Sequence, residues 1–239
     1  MAEKPESERS GWLGWINRRT GLVELTEHEV LTKNSPKHRA WYDYTGCFGG
    51  MALVFFVVQI VSGMFLLVHY VPYADVTFET DGVQQTVGAF TSVQEITSEE
   101  PMGWLVRRIH GIGSNFMLLC VMIHLLRVFF TGAYKSPREL HWVSGVFLLF
   151  MVLAMNLSGY LLPWSQLSYW ASTVATESPG AIPWVGSYAV EFMRGGSEIT
   201  GDTLGRFFAI HVWILPGIMV LFMVGHFMMI RKTGINEPL

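Results

Sequence analysis

Four stretches of the chain contain no Asp, Glu, Lys or Arg: residues 44–74, 109–126, 140–176 and 207–230. Each can supply the roughly 20 apolar residues that cross a bilayer. Inside lipid every backbone N–H and C=O must be bonded within the protein, which leaves only helices or closed barrels. The runs lack the alternation of barrel strands. An all-α membrane protein is therefore expected, with four transmembrane helices at about 45–71, 104–131, 141–162 and 205–230. Composition agrees: 15% of the 239 residues are charged, against about a quarter in ordinary soluble domains.

Lys and Arg are distributed unevenly. Residues 1–40 carry seven, and the loop between the second and third spans carries Lys135 and Arg138. The C-terminus carries Arg231 and Lys232, whereas the other two loops hold only Arg194 away from helix starts. By the positive-inside rule both termini face the cytoplasmic side, which four spans satisfy. No signal peptide is expected. Residues 1–40 mix Trp12, Trp15 and Ile16 with charges and read either as a helix lying in the interface or as an irregular arm held by partner subunits. They form one region and 41–239 the membrane domain. The loop at 72–102 has six acidic residues and no Lys or Arg. The net charge is −3, and no basic patch points to nucleic acid. Cys47 and Cys120 fall in different spans with no zinc or C-x-x-C spacing, so no disulfide is expected.

One spacing recurs. His110 and His124 are 14 apart in the second span, His211 and His226 are 15 apart in the fourth, and Gly49/Gly63 and Gly145/Gly159 are each 14 apart in the other two. Fourteen helical residues advance about 21 Å and return within about 40° of the starting face. Each helix thus presents two special positions at two depths. One membrane histidine could simply bond to a neighbouring helix. Four, in two pairs at matching depths, fit two hexacoordinate haems, each iron held by a His from either helix. The pairs are His110 with His211 near the outer ends, and His124 with His226 near the cytoplasmic ends. Glycines at those levels would let a flat macrocycle approach the backbone.

Arg107, Arg127, Arg206 and Arg231 stand three or five residues outside these histidines, where they can meet haem propionates; Arg138 is a further candidate. The 15-residue step overshoots the face by about 60°. Pro216 lies within it, and a kink or one-residue bulge near Pro216 is expected to restore the register. His69 and His141 sit at helix ends, where an interfacial role is expected.

The pattern R-x-x-H-x13-H-x-x-R, with GAYKSPRELHWVSGV, SGYLLPW, LGRFFAIHVWILP and the ending HFMMIRKTGINEPL, resembles the N-terminal half of the cytochrome b family, in its short b6-like branch. The resemblance covers nearly the whole chain from about residue 40. It implies a di-haem subunit of a quinol–cytochrome c or plastocyanin oxidoreductase, with proton translocation coupled to electron transfer. The complex would lie in a bacterial inner membrane or another energy-transducing membrane and would be dimeric. Its other subunits would be a separate C-terminal-half cytochrome b subunit, a Rieske iron–sulfur protein and a c-type cytochrome or equivalent acceptor. His110 and His211 would hold an outer, low-potential haem, and His124 and His226 an inner, high-potential one. The family's Pro-Glu-Trp-Tyr motif is missing, so the isolated chain should not oxidise quinol. Gly159, Tyr160, Pro163 and Trp164 would line part of the quinol pocket. Cys47-Phe48-Gly49-Gly50 matches the pattern by which b6-type proteins hold a third haem, a covalent haem c, through one thioether. Rival classes are the cytochrome b anchors of hydrogenases or formate dehydrogenases, which leave the paired spacings unexplained, and non-redox transporters or scaffolds.

Overall fold

The computed structural model describes residues 47–80 and 83–234, together with Trp12, Trp15 and Arg19. Among the described residues four helices are long and apolar enough to cross a membrane. They are α1 (Phe48–His69), α3 (Gly103–Phe130), α4 (Glu139–Leu161), and a fourth that runs from Gly201 to Thr233. The protein is a multi-pass membrane protein. Large side chains stay exposed along the spans: Val68 is 75% exposed and Phe130 76%. In water such faces would be costly; against lipid tails they are not.

The fourth span is not uniform. It is built from α7 (Gly201–Ala209), a π turn at Ile210–Ile214, and α8 (Leu215–Thr233). The Leu215 N–H reaches back five residues to the Ile210 carbonyl. A π turn absorbs one extra residue, so the 15-residue step from His211 to His226 advances like one of 14. The expected bulge is present, and it lies on the N-terminal side of Pro216.

The segment at 72–102 is more ordered than a loop. Strands β1 (Val76–Thr80) and β2 (Val83–Val87) pair antiparallel, with Val76 opposite Val87. Helix α2 (Ala89–Ser98) follows. The hairpin is a departure from the expected all-α architecture, though the chain remains mostly helical. Asp75 caps α2, accepting from the Phe90 and Thr91 N–H groups at 3.0 and 3.2 Å. An added Cβ at Gly88 would collide with Asp75. Tyr70 donates to the Leu162 carbonyl at 2.7 Å. Burial, reinforced by Asp75, raises the phenol's pKa well above its usual range, so it stays a donor.

Between α4 and α7 lie α5 (Gln166–Glu177), a 3-10 turn (Ser178–Ala181) and α6 (Gly186–Arg194). Arg194, 9% exposed, donates to Thr176 Oγ1 at 2.9 Å and to Glu177 Oε2 at 2.6 Å, tying α6 to α5. Thr200 and Thr203 form a reciprocal capping box at the start of α7. Most of the N-terminal arm, with its expected interfacial helix, lies outside the described residues. Trp12, Trp15 and Arg19 are helical. Arg19 lies over the Trp15 ring at 4.2 Å and grips both carboxylate oxygens of Glu139 at 3.1 Å.

The chain divides into two compact units. One gathers Leu53–Leu118 and Val152–Gly217 and contains His110 and His211. The other gathers Leu119–Met151, the chain from Ile218 and the chain up to Ala52, and contains His124 and His226.

Candidate haem-binding sites

Each of the four glycines abuts the histidine expected at its level. A Cβ added to Gly63 would lie 3.2 Å from His110 Cε1, and one added to Gly159 would lie 2.6 Å from His211 Cε1. In the other unit an added Cβ at Gly49 would meet His124 Cε1 at 3.0 Å, and at Gly145 it would meet His226 Cε1 at 3.5 Å. Glycine thus makes room for the imidazole at Gly49, Gly63 and Gly159, whereas at Gly145 a Cβ would make an ordinary contact.

The residue before the glycine does a second job. Ser62, Ser144 and Ser158 lie 2.9, 2.8 and 3.0 Å from Nδ1 of His110, His226 and His211. Each hydroxyl also donates within its own helix: Ser62 to the Val58 carbonyl at 2.6 Å, Ser144 to His141 at 3.0 Å, and Ser158 to Met155 at 3.2 Å. A hydroxyl has one proton to give. When that proton goes to the carbonyl, the oxygen accepts from the imidazole; Nδ1 then carries the hydrogen and Nε2 keeps its lone pair. Metal-ligating histidines are held this way, the second ring nitrogen donating to a fixed partner.

The rings of His110 and His211 have centroids 6.3 Å apart and stand at 74° to one another. Metal–imidazole bonds of about 2.0–2.1 Å put two imidazoles on one ion with ring centres roughly 6 Å apart. The two rings stand at the separation that would let them hold one iron between them. Among the described residues no group of three or more His, Cys, Asp or Glu could hold a metal ion. In the other unit a cavity of about 400 Å³ opens beside His226, lined by Leu140, Val143, Phe147 and Phe222. There His124 differs from the other three: its Nδ1 is buried and has no hydrogen-bond partner among the described residues.

The remaining candidates are scattered more widely. Arg107, exposed, donates to Thr97 at 2.9 Å, and Arg206, also exposed, donates to the Phe192 carbonyl. Arg127 and Arg138 are half-buried, and Arg231 is exposed. Tyr160 is exposed, and its carbonyl accepts from Ser168 Oγ at 3.0 Å. Trp164 is half-buried beside Pro163, with a left-handed φ of 49°. Cys47 is exposed at the start of α1, its Sγ 3.8 Å from Met51 Sδ, and both cysteines are free.

Sequence reasoning passed over the serines, although the Ser-Gly dipeptide at three of the four glycines was a visible signal. It also placed His141 at an interface. His141 is in fact 8% exposed, bonded through Nε2 to Thr233 Oγ1 at 3.1 Å, with its ring 6.4 Å from that of His226.

A family model described as cytochrome b/b6/petB matches residues 32–234. Cytochrome b6 of Heliobacterium mobile is 39% identical over 227 residues, covering 95% of this chain and all of that protein. Cytochrome b6 of Cyanidium caldarium is 38% identical, covering 96% and 100%. A cytochrome bc complex cytochrome b subunit from Chlorobaculum thiosulfatiphilum is 39% identical over 98% of this chain, which spans only 51% of that relative. A chain from a solved hyperthermophilic respiratory Complex III superposes with a TM-score of 0.70 at 36% identity, over 95% of this chain and 56% of its own length. These matches imply haem b binding and an electron-transfer role as a subunit of a membrane oxidoreductase. With two apolar glycine–histidine units and similarity along almost its entire length, the chain belongs to the cytochrome b/b6 family.

Proposed function

We propose that the chain is the di-haem subunit of a quinol–cytochrome c or plastocyanin oxidoreductase. In this reading it carries electrons between an outer quinol-oxidising site and an inner quinone-reducing site. The observation that supports this best is a serine hydroxyl 2.8–3.0 Å from Nδ1 of each of three imidazoles, from Ser62, Ser158 and Ser144; with Nδ1 donating to that oxygen, Nε2 of His110, His211 and His226 is left to bind iron. Haem, when bound, supplies one-electron chemistry. The chain's part is to hold two such groups at two levels, exclude water with apolar walls, and set their electron affinities. His110 and His211 would be the ligands at the outer level, and His124 and His226 those at the inner level, with both termini on the cytoplasmic side. Arg107, Arg206, Arg127, Arg138 and Arg231 would reach the propionates.

Part of the quinol site would come from Gly159, Tyr160, Pro163 and Trp164. The rest would come from partners: a separate C-terminal-half subunit, a Rieske protein and a c-type cytochrome or equivalent acceptor, in a dimeric complex. Cys47 is accessible at the start of α1, and a Cβ at Gly50 would meet none of the described residues within 4 Å. That accessible thiol and open space support a third, covalently attached haem c at Cys47. A haem assay and a reduced-minus-oxidised spectrum of the purified complex test the core of the reading. Two haem b per chain are expected; none would end it. Quinol oxidation by the chain alone would contradict the shared pocket.

A further inference from the structure

Four glycines face four histidines, but only three of the preceding residues are serine. The fourth is Phe48, which stands before Gly49 as Ser62, Ser144 and Ser158 stand before theirs. Phe48 has no acceptor to offer, and His124 Nδ1 is the one ring nitrogen of the four left buried without a partner among the described residues. The first pair, His110 and His211, therefore has two serine acceptors, and the second, His226 and His124, has one.

This difference bears on electron affinity. An imidazole that donates its Nδ1–H to a fixed acceptor becomes a more electron-rich ligand through Nε2. An electron-rich ligand favours the oxidised iron and lowers its potential, and hydrogen bonding around the ligands is one of the means by which a protein tunes haem. Removing one acceptor works the other way. We propose that Phe48 is a tuning residue: by withholding the acceptor, it makes the haem of the His124–His226 pair easier to reduce than that of the His110–His211 pair. Electrons entering at the His110–His211 pair then run downhill. Glycine alone would satisfy the steric demand at this level. The apolar residue before it adds an electronic one, and it acts through His124 rather than by touching the iron.

The inference rests on the ligand assignment proposed above. It is tested by redox titration of the b haems in the assembled complex, comparing wild type with Phe48→Ser, Ser144→Ala and Ser158→Ala. In Phe48→Ser, the oxidised-to-reduced ratio of the His124–His226 haem, poised at the wild-type midpoint, should rise about three- to tenfold, tenfold being 59 mV for a one-electron couple. The other haem should not move. Ser144→Ala should shift the same haem in the opposite sense, and Ser158→Ala should raise the potential of the other haem. The low-spin ferric EPR g-values of the affected haem should change with its potential, which a merely structural disturbance of both sites would not produce. An unchanged or raised midpoint in an assembled Phe48→Ser complex overturns the proposal, whatever Ser144→Ala does. If Phe48→Ser does not assemble, Ser144→Ala decides: a rise supports the proposal and a flat response overturns it. Two b-type bands with unmoved midpoints would sink this inference alone, whereas no b-type bands in wild type would sink the ligand assignment itself.

Discussion

The two units of the chain solve the same problem with different residues. In the unit of His110 and His211, both imidazoles are backed by glycine and both have a serine hydroxyl at Nδ1. In the unit of His124 and His226, both are backed by glycine but only one has a serine, and a third histidine, the buried His141, lies close to His226. The first is a symmetric clamp, the second an asymmetric one. The comparison separates what all four histidines share, a neighbouring glycine, from what differs among them, the polar surroundings of the imidazole.

The sharpest way to break the comparison is to remove one ligand at a time. His110→Leu or His211→Leu should abolish one b-type signal and spare at least part of the other, and His124→Leu or His226→Leu should do the reverse. Low-temperature difference spectra separate the two. Loss of both signals from any single replacement would mean that the pairs are not independent.

A smaller effect grades the glycines. Within each unit one is tighter than the other: an added Cβ comes within 2.6 Å at Gly159 against 3.2 Å at Gly63, and within 3.0 Å at Gly49 against 3.5 Å, an ordinary contact, at Gly145. Gly159→Ala should cost about 1–3 kcal/mol through overpacking and strip most of the His110–His211 haem. Gly145→Ala should leave haem content near wild type. Equal losses in the two variants, measured as haem per chain, would contradict the imidazole placements.

The smallest effect concerns α1's first turn. If Cys47 holds a covalent haem, Cys47→Ala should abolish peroxidase staining of the 27.0 kDa chain and leave both b-type signals. Gly50→Ala, with open space at its Cβ, should raise helix stability by up to about 1 kcal/mol in the isolated chain. It should lower covalent haem only if that space is used.

The helices and the glycine–histidine pairing could be read in the sequence because charge-free runs and membrane histidines are rare enough for their spacing to carry information. The π turn was legible for the same reason: 15 residues cannot return to one face without an extra residue being absorbed. The serines were not legible one by one. A membrane serine commonly bonds its own helix, and only the contact with Nδ1 distinguishes Ser62 from any other. The hairpin at 76–87 was overlooked because acidity dominated the reading, although Val76, Thr77 and Phe78 precede an Asp81-Gly82 pair of the kind that favours tight hairpins. The burial of His141 depends on Thr233, 92 residues away, and no local pattern could reveal it.

The π turn at Ile210–Ile214 has a consequence for how such chains can change length. It is a slack residue: the fourth span holds one more than a plain α-helix would need for a 14-residue step from His211 to His226, and stores it beside His211. A one-residue deletion inside that turn would convert it to ordinary α-helix and keep that step. The same deletion between His110 and His124, where no slack is stored, would turn one histidine relative to the other by about 100°. The fourth span can therefore drift between two lengths during descent, while the second is locked to one.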